Sequence, residues 1–476
     1  MQNAFLNENL TTPLAGHCDV FVCGGGPAGI AAAIAAARSG ARVTLVEAHG
    51  CLGGVWTSGC LSWLIDHENK GGLMAEIKQR LHNKGGFACA GGEARTNGRN
   101  GNSNGTSHAE PSSAYDIETM KLVLDEMATE AGVHVLLHSH VVAVRVDAAG
   151  TSASSSPPPP PPARNSHRRH RFTHAVIESK SGRQAWTADI FIDASGDGDL
   201  AARAGCGFDL GHPDTGETQP MSLMALITGV SPDAIRQHHD RSSGEKRIAA
   251  KQNFYRHLEL HGHTPSYGAP TLFHLRGDLF AMMATHQYGR SALDNEDVTQ
   301  ATLHARAEIH AIIRTLRRSG GPWAGVQLVA TAAQIGVREG RRIHGLYTVT
   351  RDDIASGRQH DDAICDVTFC VDIHSTHPAR GKSYDNGGIM VRPYQIPLRA
   401  AIAADVDGLM MAGRCISGDF FAHASYRVTG NAVQMGESVG RVAALASLSG
   451  RLPQALPQNE IRAALDNVED SALVFA

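Results

Sequence analysis

Residues 18–47 read CDVFVCGGGPAGIAAAIAAARSGARVTLVE. Val20 to Val22 is a short apolar run bounded by glycine, as a buried strand would be. Ala28 to Arg38 has helix-forming composition, and Gly40 stands where a helix-ending glycine belongs. Arg42 to Glu47 is a second β-rich run, which completes a βαβ unit. The glycines fall as Gly24-x-Gly26-x-x-Gly29, between the first strand and the helix. Gly24 allows a tight turn, Gly26 lets backbone approach a diphosphate, and Gly29 permits close helix–strand packing. The helix start at Pro27 and Ala28 supplies amide donors and a positive dipole end. Glu47, followed by Ala48, closes the second strand, where a carboxylate can accept hydrogen bonds from a ribose and argues against a 2′-phosphate. In this register the pattern predicts a dinucleotide site on an α/β fold.

The rest of the chain bounds what that site can serve. Of 476 residues, 42% are apolar and 19% charged, the composition of a globular protein. The net charge of −4 leaves no basic excess to neutralise a phosphate backbone, so nucleic acid is not an expected partner. No apolar run reaches the length of a membrane span, and the first residues lack the basic start and apolar core of a signal peptide. Nine cysteines, with no C-x-x-C pair, read as reduced thiols in a cytoplasmic protein.

Working outward, helical spacing spans Ile117 to Ala131, and strands are expected at Val133–Leu137, Val141–Val146, Phe172–Glu178 and Ala185–Asp193. Two low-complexity stretches, about 88–113 and 148–169, read as surface loops, the second inside a hairpin because strand patterning resumes beyond its proline run. Its basic cluster of Arg164, Arg168, Arg169 and Arg171 reads as solvated. Helical stretches at Pro232–His261 and Asp297–Ser319 alternate with apolar runs at Leu279–Thr285 and Gly325–Ala333. The expected organisation is a cofactor domain over 15–215, an inserted substrate or cap domain over 216–375, and the rest of the cofactor domain over 376–476. A strand at Gly408–Ala412 and a helix from about Asn431 to Leu448 belong to that last part.

Three features favour FAD over NAD. The Gly53–Gly54 pair, followed by Val55, comes soon after Glu47 and gives backbone access along an extended ligand. Residues 190–205 carry a strand that ends in a small-residue turn with Asp193, Ala194, Gly196 and Asp197, followed by a helix. A later helix begins near Gly430, where its amides can stabilise negative charge on a reduced flavin. The blocks GGGPAG…E…CLGG (24–54), IDASGDGDLAARAG (192–205), VREGRRIHGLYTVTRDDI (337–354), PYQIPLR (393–399) and AGRCISGDFFAHASYRVTGNAVQMGESVGRVAALA (412–446) carry a resemblance. The chain resembles bacterial FAD-dependent oxidoreductases with a glutathione-reductase-like cofactor fold. That resemblance implies diphosphate contacts from Gly24, Gly26 and Gly29 and a ribose contact from Glu47. It places Gly53 and Gly54 along the ribityl and flavin end, Val141 against the adenine, and Gly413, Arg414, Gly430, Asn431 and Ala432 against diphosphate, ribityl and isoalloxazine. Gly413-Arg414 replaces the more usual Gly-Asp, and Asp419 is the alternative contact there. With no second glycine fingerprint, no NADPH domain is expected, and the electron acceptor or donor is unknown.

For chemistry at the substrate, His423 is the first candidate acid/base, with Tyr426 and Arg427 as orienting or anion-binding groups. Arg338, Arg341 and Arg342 could bind an acidic substrate or pair with Glu339, Asp352 and Asp353. His374, His377 and Tyr394 are expected along the cleft. Cys51, Cys60 and Cys415 read as buried thiols, and the 26 histidines lack companions at metal-ligand spacing, so no metal is expected. The expected function is hydride transfer between FAD and a small polar organic substrate at a CH–OH or CH–CH bond. The alternatives are a flavin monooxygenase and a non-redox protein that uses FAD structurally.

Overall fold

The computed structural model describes residues 8–87, 114–148, 170–381 and 383–466. The stretch 88–113 and nearly all of 148–169, with Arg164, Arg168 and Arg169, lie outside them.

An eight-stranded sheet organises the larger layer. Its parallel part is β3 (His134–Leu136), β2 (Val43–Val46), β1 (Leu14–Cys23) and β6 (Gly182–Asp193), with β12 (Leu409–Met411) continuing along β6. β1 aligns Val20 with Val43 on one side and with Ile190 on the other. Val20 to Cys23 are buried on both faces, which is why they read as an unbroken apolar run without alternation. β4 (His140–Ala148) and β5 (His170–Ser179) pair antiparallel, β5 pairs antiparallel with β6, and the short β11 (Val406–Asp407) pairs parallel with β5. The proline-rich stretch therefore joins the two strands of a hairpin.

Helix α1 (Pro27–Arg38) packs on β1 and β2, beside α2 (Ile117–Glu130) and against α6 (Thr429–Leu448), which also touches β1 and β6. Proline at its first position needs no amide partner there. Ala28 to Ala36 are all buried, so its small residues serve packing on two sides as well as propensity. On α6, a Cβ at Gly436 or Gly440 would collide with the backbone of Ala28 or Ala32. Those two glycines let the helices approach backbone to backbone. Gly29 makes the matching approach to the Gly24 carbonyl.

A second layer is a four-stranded antiparallel sheet in the order β10 (Gln327–Thr331), β7 (Met224–Thr228), β9 (Leu279–Met283), β8 (Thr271–Arg276). Helices α3 (Gly244–Leu260) and α4 (Asn295–Ser319) pack beside it. The helix expected over Pro232–His261 begins only at Gly244, capped by Ser243, because residues before it form turns. This layer has its own apolar core, with Phe254 stacked on Trp323 at 5.8 Å. Apolar residues from Ile343 to Ile373 pack into the first core, so the two cores meet near residue 340.

Candidate functional site

One cavity of about 860 Å³ runs between the two layers. Its first half is made from backbone and small residues. Gly24, Gly26, Pro27 and Ala28 line it at the start of α1, and Ala194 and Gly196 line it at the end of β6. A Cβ built on Gly26 meets nothing within 4 Å, so the space above it is open for a ligand. Gly24 has φ +101° and turns the chain beneath that space. The Gly25 amide donates to Glu47 Oε2 at 2.6 Å, and the His49 amide donates to Oε1 at 2.7 Å. These bonds hold the carboxylate at the cavity wall, and each oxygen keeps a second lone pair for a ribose hydroxyl. Ala48 and Val141 line the wall beside it. Gly54 sits on Gly26, with Val55 next in the wall, while Gly53 ties the turn down by donating to the Gly25 carbonyl at 2.8 Å.

Opposite, Gly413 and Arg414 line the cavity after β12. Arg414 donates to the Gly196 carbonyl at 3.0 Å, to the Val337 carbonyl and to Asp197. It joins three loops around the cavity mouth, and its ion-pair partner Asp197 lines the cavity as well. α6 starts two residues before the expected position, and its first turn presents Val428, Thr429 and Ala432 to the cavity. Thr429 Oγ1 is buried without a partner among the described residues. Gly430 and Asn431 do not line the cavity. The Gly430 amide donates to Ile65, and a Cβ there would collide with the 65–66 backbone. Gly29 likewise sits behind the cradle. Asp419 lies outside it too: its side chain caps α5 (Phe420–Tyr426) by accepting from the Ala422 amide at 2.8 Å. A glycine cradle, two helix starts and an orphaned hydroxyl fit an extended dinucleotide.

The second half is lined by polar side chains from distant segments. Asp372 and His374 face it, with Arg427, Arg338 and Tyr384 around them. His374 Nε2 lies 3.3 Å from Asp372 Oδ2, and Arg427 Nη2 lies at the same distance from that oxygen. His374 Nδ1 is 3.1 Å from His286 Nε2, and His286 Nδ1 is 3.1 Å from the Tyr288 hydroxyl, which donates to the Ser266 carbonyl. With the shared proton on His374 Nδ1, the neutral ring leaves Nε2 free to accept a proton, and the Nε2–H so formed donates to Asp372. Burial and Arg338 push the His374 imidazole down to about 4, against the pull of Asp372. Burial alone would raise the Asp372 carboxyl, but a protonated His374, with Arg427 and Arg338, outweighs it and holds it well below the usual range.

His423 and Tyr426 correct the expected catalytic set. Both are buried in α5 and neither lines the cavity. The Tyr426 hydroxyl donates to the Ile416 carbonyl at 3.1 Å, and its ring packs on Gly418. Burial, with Arg342, Arg427 and Arg414 nearby, keeps the His423 imidazole well below its ordinary range. Along a seven-residue helix only some positions face the cavity, and Arg427, at its C-terminal cap, is the one that does. Of the three arginines at 338–342, only Arg338 lines the cavity. Arg341 pairs with Asp199, and Arg342 pairs with the buried Glu339. Cys415 is buried and donates to the Asp193 carbonyl. The sequence places His374 along the cleft, whereas its partner His286 and the cations Arg241, Arg247 and Lys251 carry no motif that singles them out.

Residues 19–465 match the family described as FAD dependent oxidoreductase. The chain belongs to this family: it is an FAD-dependent oxidoreductase, and FAD is its cofactor. No curated protein matches the sequence. Among solved structures, a geranylgeranyl bacteriochlorophyll reductase-like protein from Thermoplasma acidophilum is similar over 94% of this chain and 83% of its own, at 13% identity and a TM-score of 0.46. A flavin-dependent brominase is similar over 94% and 83%, at 13% identity and 0.44. The p-nitrophenol 4-monooxygenase of Pseudomonas putida is similar over 94% and 84%, at 10% identity and 0.43.

Proposed function

We propose that this protein oxidises a small polar organic substrate at a CH–OH or CH–CH bond, with His374 as the proton acceptor. The single observation that carries the reading is the continuity of one cavity from the glycine cradle to the Asp372–His374 pair. When bound, FAD supplies hydride exchange with a substrate carbon. In this reading the cofactor fold is of the glutathione-reductase type, contributed by 15–215 and the C-terminal part from 376. The antiparallel layer between residue 216 and about 340 closes over the substrate.

Each residue then has a stated task. Gly24, Gly26 and the Ala28 end of α1 bind the diphosphate, Glu47 the adenosine ribose, and Val141 the adenine edge. Thr429 and the α6 start place donors where negative charge collects. His374 Nε2 takes the proton released from the substrate, and the Asp372 carboxylate stabilises the imidazolium that forms. Arg427 holds Asp372 in place. Oxidation so described needs the proton acceptor neutral, and a group at about 4 is neutral across the ordinary range.

A visible spectrum of the purified protein, followed by an anaerobic screen of hydroxy acids, sugars and amino acids, tests the reading. Bleaching near the ~450 nm flavin band by one compound class supports it. A yellow protein that none of these compound classes bleaches would leave the cofactor in place and remove the proposed substrate oxidation.

A further inference from the structure

We infer that the substrate half of the cavity contains an oxyanion subsite, built by Arg241, Arg247 and Lys251, that binds a carboxylate or phosphate of the substrate. This rests on the reading of the cavity as the substrate site. All three side chains line the cavity, and all three come from α3 and the turn before it. None of them belongs to an element of the glycine cradle, so the diphosphate of FAD already has other partners.

The cations lack counter-charges. Among the described residues, no carboxylate lies within ion-pair distance of Arg241, Arg247 or Lys251. Asp372, the carboxylate lining this half, is engaged by His374 and Arg427. Arg241 is held by rings instead. Its guanidinium lies 4.3 Å from the Trp63 ring centroid and 5.1 Å from that of Phe273, with Nε buried and unpartnered. Lys251 Nζ lies 5.0 Å from the Tyr384 ring centroid and donates weakly to its hydroxyl at 3.4 Å. Aromatic faces orient a cation without neutralising it. Burial, with Arg241 and Arg247 beside it, brings the Lys251 ammonium down to about 8, and burial with Arg247 brings Arg241 down to about 10. Crowding like charges at a half-buried wall is costly unless an anion joins them. A bound oxyanion would accept charge-assisted hydrogen bonds from all three and remove that cost.

The test is titration of the flavin-loaded protein with oxalate and, separately, inorganic phosphate, by calorimetry at constant ionic strength in sodium chloride. The expected result is saturable binding of at least one probe. Arg241→Gln and Lys251→Gln should each weaken it about tenfold, and the double variant should lose it. Lys246→Gln, on the exposed face of the same helix, should bind as wild type. Preference for oxalate would assign a carboxylate substrate, and preference for phosphate a phosphorylated one. The inference is overturned if neither probe saturates in the wild type, or if the Arg241 and Lys251 variants bind as the wild type does. Loss of flavin from those variants would also overturn it, because the cations would then serve the cofactor. A colourless wild-type protein would instead defeat the functional reading, while anion binding by that protein would still report on the subsite.

Discussion

The cradle half of the cavity is built on backbone, glycine and alanine with Glu47 and Arg414 at its wall, whereas the opposite half sets arginine, lysine, histidine and aspartate among the rings of Trp63, Phe273 and Tyr384. In the cradle, recognition comes from amides and helix starts whose positions follow from the local chain. Across the cavity, recognition comes from long side chains on segments spread between residues 241 and 427. The first kind of site tolerates almost no added volume. The second tolerates volume and depends on which charges meet. Substitutions that exchange these sensitivities would break the comparison.

The largest effect is expected at His374. His374→Gln should lower turnover by about 10²–10⁴ while flavin content stays at the wild-type level. The contrasting change, His423→Ala, should leave both turnover and flavin content unaltered, because that ring does not reach the cavity. A large loss at His423 with none at His374 would restore the assignment made from sequence.

Next comes the cradle itself. Gly26→Leu should cut flavin retention by roughly tenfold or more, with thermal stability preserved, since its side chain would enter open space. Gly29→Ala should act in the opposite manner and cost about 1–3 kcal/mol of stability through its overlap with the Gly24 carbonyl. Flavin stoichiometry and unfolding midpoints of the two variants separate the outcomes. Equal flavin loss with equal destabilisation would erase the distinction between ligand-facing and packing glycines.

Two smaller effects concern pH. The proton acceptor must be neutral, so kcat/KM should stay level down to about pH 4 and fall below it as His374 is protonated. The groups facing His374 are Asp372, Arg338, Arg427 and His286, with the rings of Tyr267 and Tyr384. Asp372→Asn removes the charge that raises its affinity for protons, so the acid limb should move to lower pH and the plateau should drop. An acid limb near neutrality would remove His374 from the role. At the oxyanion subsite, oxalate affinity should decline as the pH rises through about 8, where Lys251 loses its proton. Arg241, Arg247, Asp372 and Tyr384 face that ammonium. Because the anion favours the charged amine, oxalate binding near pH 8 should take up protons, visible as a dependence of the calorimetric heat on the buffer. Heat independent of the buffer would exclude Lys251 from the subsite.

Much of the fold was legible because its signals are local. The expected helix at Ala28–Arg38 and the strands at Val20–Val22 and Ala185–Asp193 depend on composition and period, which neighbouring residues carry. The long helix beginning near Asn431 was misplaced by two residues, because its first turn, with Thr429, has no capping side chain to mark it. Gly436 and Gly440 gave no readable signal, since their purpose is visible only against Ala28 and Ala32. The substrate half was harder still. His423 stands in an attractive sequence, but the direction a short helix turns its residues depends on what packs around it.

The sequence by itself determined the glycine turn, the carboxylate at the end of the second strand and the α/β class, because a tight turn and a close backbone approach demand particular residues at particular spacings. Only the tertiary structure decided that Asp372, His374 and His286 form one chain of proton-bearing groups, and that Arg241, Arg247 and Lys251 line the same cavity. Those side chains come from separate strands, turns and helices. Their meeting is fixed by how two cores pack against each other, which no local spacing records.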